Sequence, residues 1–377
     1  MEVLLGTSGW SYDEWVPIFY PDSSIDKLSY YSKIFKIVEV DSTFYSYPKE
    51  SLVKKWSFKS PRDFKFCLKL PKLLTHEKKL DPKEELKIPL ERFLDLIKPL
   101  KQREKLGLIL IQLPPSFTFS KFDWLEGFFK ILPDTDFAVE FRDRSWLRDE
   151  SWKLLRKYNI TYTIVDEPLL PPLLEVTSKK ALIRWHGHGK KPWYDYYYTD
   201  DELKNWVPKI NDLILKAKEL YGFFNNHFRG YAVANCLKML KLLNLTDEYK
   251  EKVLSDIEQK IKKESARLGL FDLSLYSIDE LLEFLAPRFK LERAKEIKES
   301  EIKFFAKDNV FEGIVRDYEF KIDINKRDIN HNCPDWLKRE GGELCKHMVK
   351  VFQLLPEDVS RRLILDIIQH KKYWSFR

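Results

Sequence analysis

Four residues near the C-terminus have the types and spacing of a metal site. They are His331-Asn332-Cys333 and Cys345-Lys346-His347, two x-separated pairs split by eleven residues. Two thiolates and two imidazoles suit tetrahedral Zn²⁺ with no open coordination position, so the ion would be structural. Gly341-Gly342 gives the backbone freedom to wrap round it. The second pair opens an apolar helix (Met348, Val349, Val351, Phe352), which puts Cys345 near a helix N-terminus that favours thiolate.

A second set is spread over the first 230 residues. Glu39, Glu140 and Asp166 are carboxylates able to move protons, interleaved with Lys69, Arg142, Arg184 and His186. Carboxylates alternating with cations hold one another in defined protonation states, which is the requirement of general acid–base chemistry. Lys69, Arg142 and Arg184 could equally grip a phosphate. Gln112, Asn225 and Asn226 add neutral donors and acceptors, and Asp41 and His76 complete the polar set. Structural alternatives stay open: Glu140 and Arg142 form an i, i+2 ion pair on one strand face, and Asp166 caps a turn before Glu167-Pro168. His76, His186, His188 and His227 lack the close spacing of a catalytic metal cluster, so no metal is expected there.

Lys69, Gln112, Glu140, Arg142, Asp166, Arg184, His186 and Asn225 fall at or near the ends of short apolar runs. The runs are Val3–Gly6, Ile37–Asp41, Phe64–Lys69, Leu108–Gln112, Phe137–Arg142, Tyr162–Asp166, Leu182–His186 and Tyr221–Asn226. Such runs, rich in β-branched and aromatic residues, read as buried strands. Helix-like stretches lie between them: 24–36, 49–56, 123–131, 150–158, 200–207 and 213–220. Eight βα units predict a (β/α)8 TIM barrel over residues 1–246, with the polar residues at the strand C-termini, where the βα loops converge. Aromatic residues crowd those loops, among them Trp10, Tyr12, Trp15, Phe44, Tyr45, Trp146, Trp193 and Tyr194. Flat faces beside cations suit stacking of a base or sugar, although Trp15 and Phe44 read as rim packing.

Beyond residue 246 the pattern changes. Residues 247–301 read as a charged helical connector. In it Tyr249, Val253, Ile257 and Ile261 mark one face, and Ser277-Ile278-Asp279-Glu280 is a capping box. Residues 302–377 read as a small α+β zinc-binding domain, with strands at 303–305, 310–316 and 318–324 and a helix at 346–355.

The 377 residues carry a net charge of +7. Residues 247–377 hold 26 Lys+Arg against 26 Asp+Glu, so the excess lies on the barrel segment, 40 against 33. That balance suits a polyanionic partner. No run of about 18 apolar residues exists to span a membrane, and Met1-Glu2-Val3 enters the first strand without a basic n-region or cleavage site, so secretion is not expected. With only four cysteines, two of them (Cys67 and Cys236) in apolar elements, a disulfide scaffold is excluded and a cytoplasmic location is expected. The Lys and Glu content leans towards a thermophile.

Several stretches go beyond generic barrel pattern: Gly6-Thr7-Ser8-Gly9-Trp10-Ser11-Tyr12, Val38-Glu39-Val40-Asp41-Ser42-Thr43-Phe44-Tyr45, Gln112-Leu113-Pro114-Pro115, Val139-Glu140-Phe141-Arg142, Arg184-Trp185-His186-Gly187 and Phe224-Asn225-Asn226-His227. Together residues 1–245 resemble the YecE-like family of TIM barrels (DUF72). Asp41 departs from the family pattern, which tends to Asn. The resemblance implies a fold similar to the endonuclease IV and xylose isomerase barrels. The paired ligands resemble the SWIM zinc finger, whose motif is Cys-x-Cys followed by Cys-x-His. His331 stands where that motif has Cys. This resemblance implies a module for nucleic-acid or protein binding.

The expected function is therefore nucleic-acid processing or DNA repair. The barrel would engage a nucleotide or extruded base, as a nuclease or glycosylase, and the zinc module would bind nucleic acid (DNA before RNA) or a protein partner. Two alternatives remain: a carbohydrate-acting hydrolase or isomerase using Glu39 and Glu140, and a non-enzymatic zinc-finger adaptor in DNA repair.

Overall fold

Strands apolar on both faces must be covered on both faces, and in the computed structural model all eight runs meet that condition in one parallel sheet. The structure describes residues 2–189, 192–267, 276–338 and 343–377, with the side chains of 264–267 outside the description. It forms two compact units, Met1–Ile257 and Glu258–Arg377.

In the first unit the strands are β1 (Glu2–Thr7), β2 (Ile37–Val40), β3 (Lys65–Lys69), β4 (Leu106–Gln112), β5 (Phe137–Glu140), β6 (Thr161–Asp166), β7 (Lys180–Trp185) and β8 (Glu219–Phe224). Their order is β1-β8-β7-β6-β5-β4-β3-β2. A parallel bridge between Ser8 and Glu39 joins the two ends, so the sheet closes into the expected barrel. Inside it Leu4, Ile37, Cys67, Leu108, Leu110, Ala138, Leu182, Tyr221 and Phe223 form a buried cluster. Each large apolar side chain in it contributes roughly 1.5–3 kcal/mol by leaving water.

Proline bears on three of the connections between strands. Lys87–Gln102 is helical although it carries Pro89 and Pro99. Asp200–Lys216 is one helix running through Pro208, where the sequence suggests a break, and residues 219–220 already belong to β8. Among the described residues no helix separates β6 from β7. That connection carries Pro168, Pro171 and Pro172, which fix φ and remove the N–H donors a helix needs.

In the second unit β9 (Ile302–Lys307), β10 (Val310–Val315), β11 (Tyr318–Asp323), β12 (Asp328–His331) and β13 (Ser375–Phe376) form a sheet in the order β13-β12-β11-β10-β9. The helices Lys346–Leu354 and Glu357–His370 share one buried core with Phe311, Phe320, Ile322 and Ile329. Leu281, Leu282, Leu285 and Leu291, from the stretch read as a connector, enter the same core. The Ser277 capping box is present. Val253, Ile257 and Ile261 are buried, whereas Tyr249 is 52% exposed. Among the described residues no helix is long and apolar enough to cross a membrane.

Candidate functional site

A cavity of about 850 Å³ opens at the strand C-termini of the barrel. Trp10, Asp41, Tyr45, Lys69, Gln112, Arg142, Arg184, His186 and Asn225 line it, as expected for residues that leave the strands at this end. Aromatic side chains from three loops supply a wall. The Tyr12 ring stacks on His227 with centroids 4.6 Å apart, and His227 stacks on Tyr194 at 5.5 Å. The loop carrying Tyr194 turns at Gly187, whose φ is +92° and where a Cβ would meet Trp193 O at 2.7 Å. A side chain there would force the loop off the cavity.

Beneath the cavity lies an ion-pair network. Arg184, fully buried on β7, places Nη1 2.5 Å from Glu140 Oε2 and Nη2 2.6 Å from Glu39 Oε1. Arg142 Nη2 takes the other Glu140 oxygen at 2.5 Å, and Arg142 Nη1 pairs with Glu167. Lys69 Nζ is 2.7 Å from Asp41 Oδ1, and Ser8 Oγ donates to Glu39 at 2.8 Å. Burial alone would raise every one of these carboxyls. For Glu140 the guanidiniums of Arg142 and Arg184 outweigh burial and hold it well below the usual carboxylate range. For Asp41, Lys69 and Arg184 do the same. For Glu39 and Glu167 burial wins, and both are raised.

His186 Nε2 lies 3.2 Å from Arg142 and 3.3 Å from Arg184. Guanidinium groups only donate, so this nitrogen must carry the lone pair and Nδ1 the proton. Nδ1 is 2.9 Å from Asn225 Nδ2; a proton on Nδ1 requires the amide turned end for end so that its oxygen accepts. Burial, reinforced by Arg142 and Arg184, pushes the imidazole down to about 3, so it is neutral.

The remaining residues singled out in the sequence lie elsewhere. Glu39 and Glu140 sit under the floor, buried and outside the cavity lining. Asp166 accepts from Trp206 Nε1 at 3.3 Å, lies 2.9 Å from His188 Nε2, and lines a separate hollow. Trp146 is internal: its Nε1 donates to Phe117 O and its ring stacks on Phe141 at 4.6 Å. Asn226 Nδ2 donates to Tyr196 O at 2.8 Å, holding the Gly187 loop, and His76 packs edge-on to Phe44. Sequence reasoning missed Glu167 as the partner of Arg142. Its position directly after Asp166 at the end of β6 was the available signal.

The family described as "Protein of unknown function DUF72" matches residues 4–259. The chain belongs to the DUF72 family. It is 29% identical over 274 residues to UPF0759 protein YunF of Bacillus subtilis (strain 168), covering 64% of this chain and 95% of that one. UPF0759 protein YecE of Escherichia coli (strain K12) is 30% identical over 141 residues, 37% of this chain and 48% of YecE. Among solved structures, a DUF72 family protein (TM1631) from Thermotoga maritima MSB8 superposes with a TM-score of 0.60 at 34% identity, covering 65% of this chain and 100% of that one. A DUF72 family protein (EF0366) from Enterococcus faecalis V583, at 23% identity and a TM-score of 0.58, shares the fold.

The Cys/His set lies outside the DUF72 match, in the second unit. His331, Cys333, Cys345 and His347 are all buried, and their ligand atoms lie within 4.8 Å of one another. Cys333 and Cys345 each cap a short helix N-terminus, accepting from Trp336 N at 3.3 Å and Met348 N at 3.5 Å. His331 Nδ1 donates to Glu319 O at 2.7 Å, which fixes the tautomer and leaves Nε2 with its lone pair. That nitrogen and His347 Nδ1 are buried without a hydrogen-bond partner. Buried unpartnered imidazole nitrogens beside two thiols fit a metal ion, which these four residues could hold. Gly341 and Gly342 lie outside the described residues.

Proposed function

We propose that the barrel binds a nucleotide, stacks its base on the aromatic wall, and hydrolyses the C1′–N bond to release the base. One observation carries this reading: Asp41 is the one carboxylate among the described residues lining the cavity, and the floor cations are already matched by carboxylates. A floor without surplus positive charge favours base removal over phosphodiester cleavage, which must neutralise charge on a transferring phosphoryl group.

Asp41, held ionised by Lys69, stabilises the positive charge that builds on the sugar as the C1′–N electron pair leaves with the base. A water oxygen then bonds to C1′ and gives its proton to Asp41 and on to solvent, while the departing base nitrogen takes a proton from solvent. Gln112, Asn225 and Arg142 offer hydrogen bonds to the base edge. The carbohydrate reading needs Glu39 and Glu140 as a working pair, and both are locked on Arg184 below the cavity.

The second unit, in this reading, is a SWIM-type module in which Cys333, Cys345, His331 and His347 hold Zn²⁺ and which binds DNA, or a protein partner in DNA repair. Zinc would supply folding energy and no chemistry. The unpaired cysteines fit a cytoplasmic protein.

The test is incubation of the full chain with single-stranded oligodeoxynucleotides at low ionic strength, reading free base by chromatography and binding by anisotropy. Base release that disappears in Asp41→Asn supports the proposal, as does Tyr12→Ala binding weakened by about 1–3 kcal/mol. Binding without base release would favour the adaptor. Absence of salt-dependent binding sinks the nucleic-acid reading altogether.

A further inference from the structure

Asp166 lines a hollow of about 540 Å³ together with Arg144, Glu167, Pro168, Pro171 and His188. The hollow adjoins the cavity directly: Arg142 lines the cavity, Glu167 lines the hollow, and the two form an ion pair between them. The carboxylates in the hollow are already compensated. Glu167 pairs with Arg142, and Asp166 accepts Trp206 Nε1–H and faces His188 Nε2 at 2.9 Å.

A carboxylate can only accept, so His188 Nε2 carries a proton, and in the neutral imidazole Nδ1 then presents a lone pair. Arg144 Nε donates to Leu169 O at 3.0 Å, which anchors the side chain at the hollow and leaves the rest of its fork for a ligand. A guanidinium fork beside an oriented imidazole acceptor suits a group that combines an anion with a hydrogen-bond donor. A phosphodiester with its attached nucleoside is such a group.

We infer that the hollow is a second nucleotide subsite, reached across the Arg142–Glu167 ridge, so that the barrel's substrate is an oligonucleotide and not a free nucleotide. Arg144 takes the phosphate oxygens of the neighbouring nucleotide. His188 Nδ1 accepts from its sugar hydroxyl or base amine. This inference rests on the nucleotide reading of the cavity.

Titration of the full chain with deoxymononucleotides and the matching dinucleotides at low ionic strength tests it. The dinucleotide is expected to bind about tenfold or more tightly than the mononucleotide, the value of one charge-assisted hydrogen bond. That ratio should fall towards unity in Arg144→Ala and in His188→Ala. Equal affinities in the wild type, or a ratio that neither substitution moves, would overturn the second subsite and leave the nucleotide reading intact. Failure of both ligands to bind would overturn the nucleotide reading itself. If His188→Ala does not fold, Arg144→Ala at its exposed position decides the matter.

Discussion

Lys69 Nζ lies 2.7 Å from Asp41 Oδ1 and holds that carboxyl below its ordinary value against the effect of burial. Removing the ammonium in Lys69→Met should let burial prevail and raise the Asp41 pKa. Any base release that needs ionised Asp41 then loses its low-pH activity. The acid limb of the pH–rate profile is expected to move to higher pH in Lys69→Met, and an unmoved limb would remove Asp41 from the chemistry.

Arg184 bridges Glu39 and Glu140 without access to solvent. Arg184→Met removes the shared partner of two buried carboxyls, leaving Glu140 with Arg142 alone and Glu39 with Ser8 and the more distant Lys69, and should destabilise the protein by about 3–5 kcal/mol, the usual result of breaking a buried pair from one side. Denaturant unfolding measures this. A loss within about 0.5 kcal/mol, typical of a surface substitution, would mean that the network is not a structural brace.

His186 adds an acid sensitivity of its own. Its folded pKa is about 3 against an ordinary value of 6.5, so between those values the unfolded chain binds a proton that the folded chain refuses. Stability should be fully present above pH 6.5 and fall as the pH drops towards 3. His186→Gln keeps polar groups facing Arg142 and Asn225 but cannot titrate. Its unfolding free energy should decline less steeply from pH 7 to pH 5 than that of the wild type.

Zinc should copurify with the full chain and leave on substitution of Cys345→Ser, measured by metal analysis. His331→Cys restores the ligand found in the SWIM pattern and should retain the ion. Metal content unchanged by Cys345→Ser would place any bound zinc elsewhere.

The strands were legible because each is a short apolar run of β-branched and aromatic residues, and their ends bring Asp41, Lys69, Gln112, Arg142, Arg184, His186 and Asn225 to the cavity lining. What could not be read is which way a strand-end side chain is spent. Glu39 and Glu140 look identical in sequence to working carboxylates, but both are used on Arg184, a residue 145 positions from Glu39. Trp146 looks like a loop aromatic, but Phe141 and Phe117 enclose it. Proline hid the helix Lys87–Gln102 because its cost to a helix is local, whereas packing of Leu90, Phe93 and Ile97 is a tertiary gain. The Cys/His cluster was legible because its four residues come from two tight local pairs.

Arg184 ties β7 to β2 and β5 beneath the cavity, while the Tyr12, Tyr194 and His227 wall hangs from separate loops. The two halves of the site therefore differ in how freely they can change. A substitution in the wall alters what fits without disturbing the barrel. A charge change in the floor leaves a buried partner stranded, and is tolerated only when a second change answers it. New ligand preferences in this barrel are within reach of single steps at the rim, while the floor can move only in coordinated pairs.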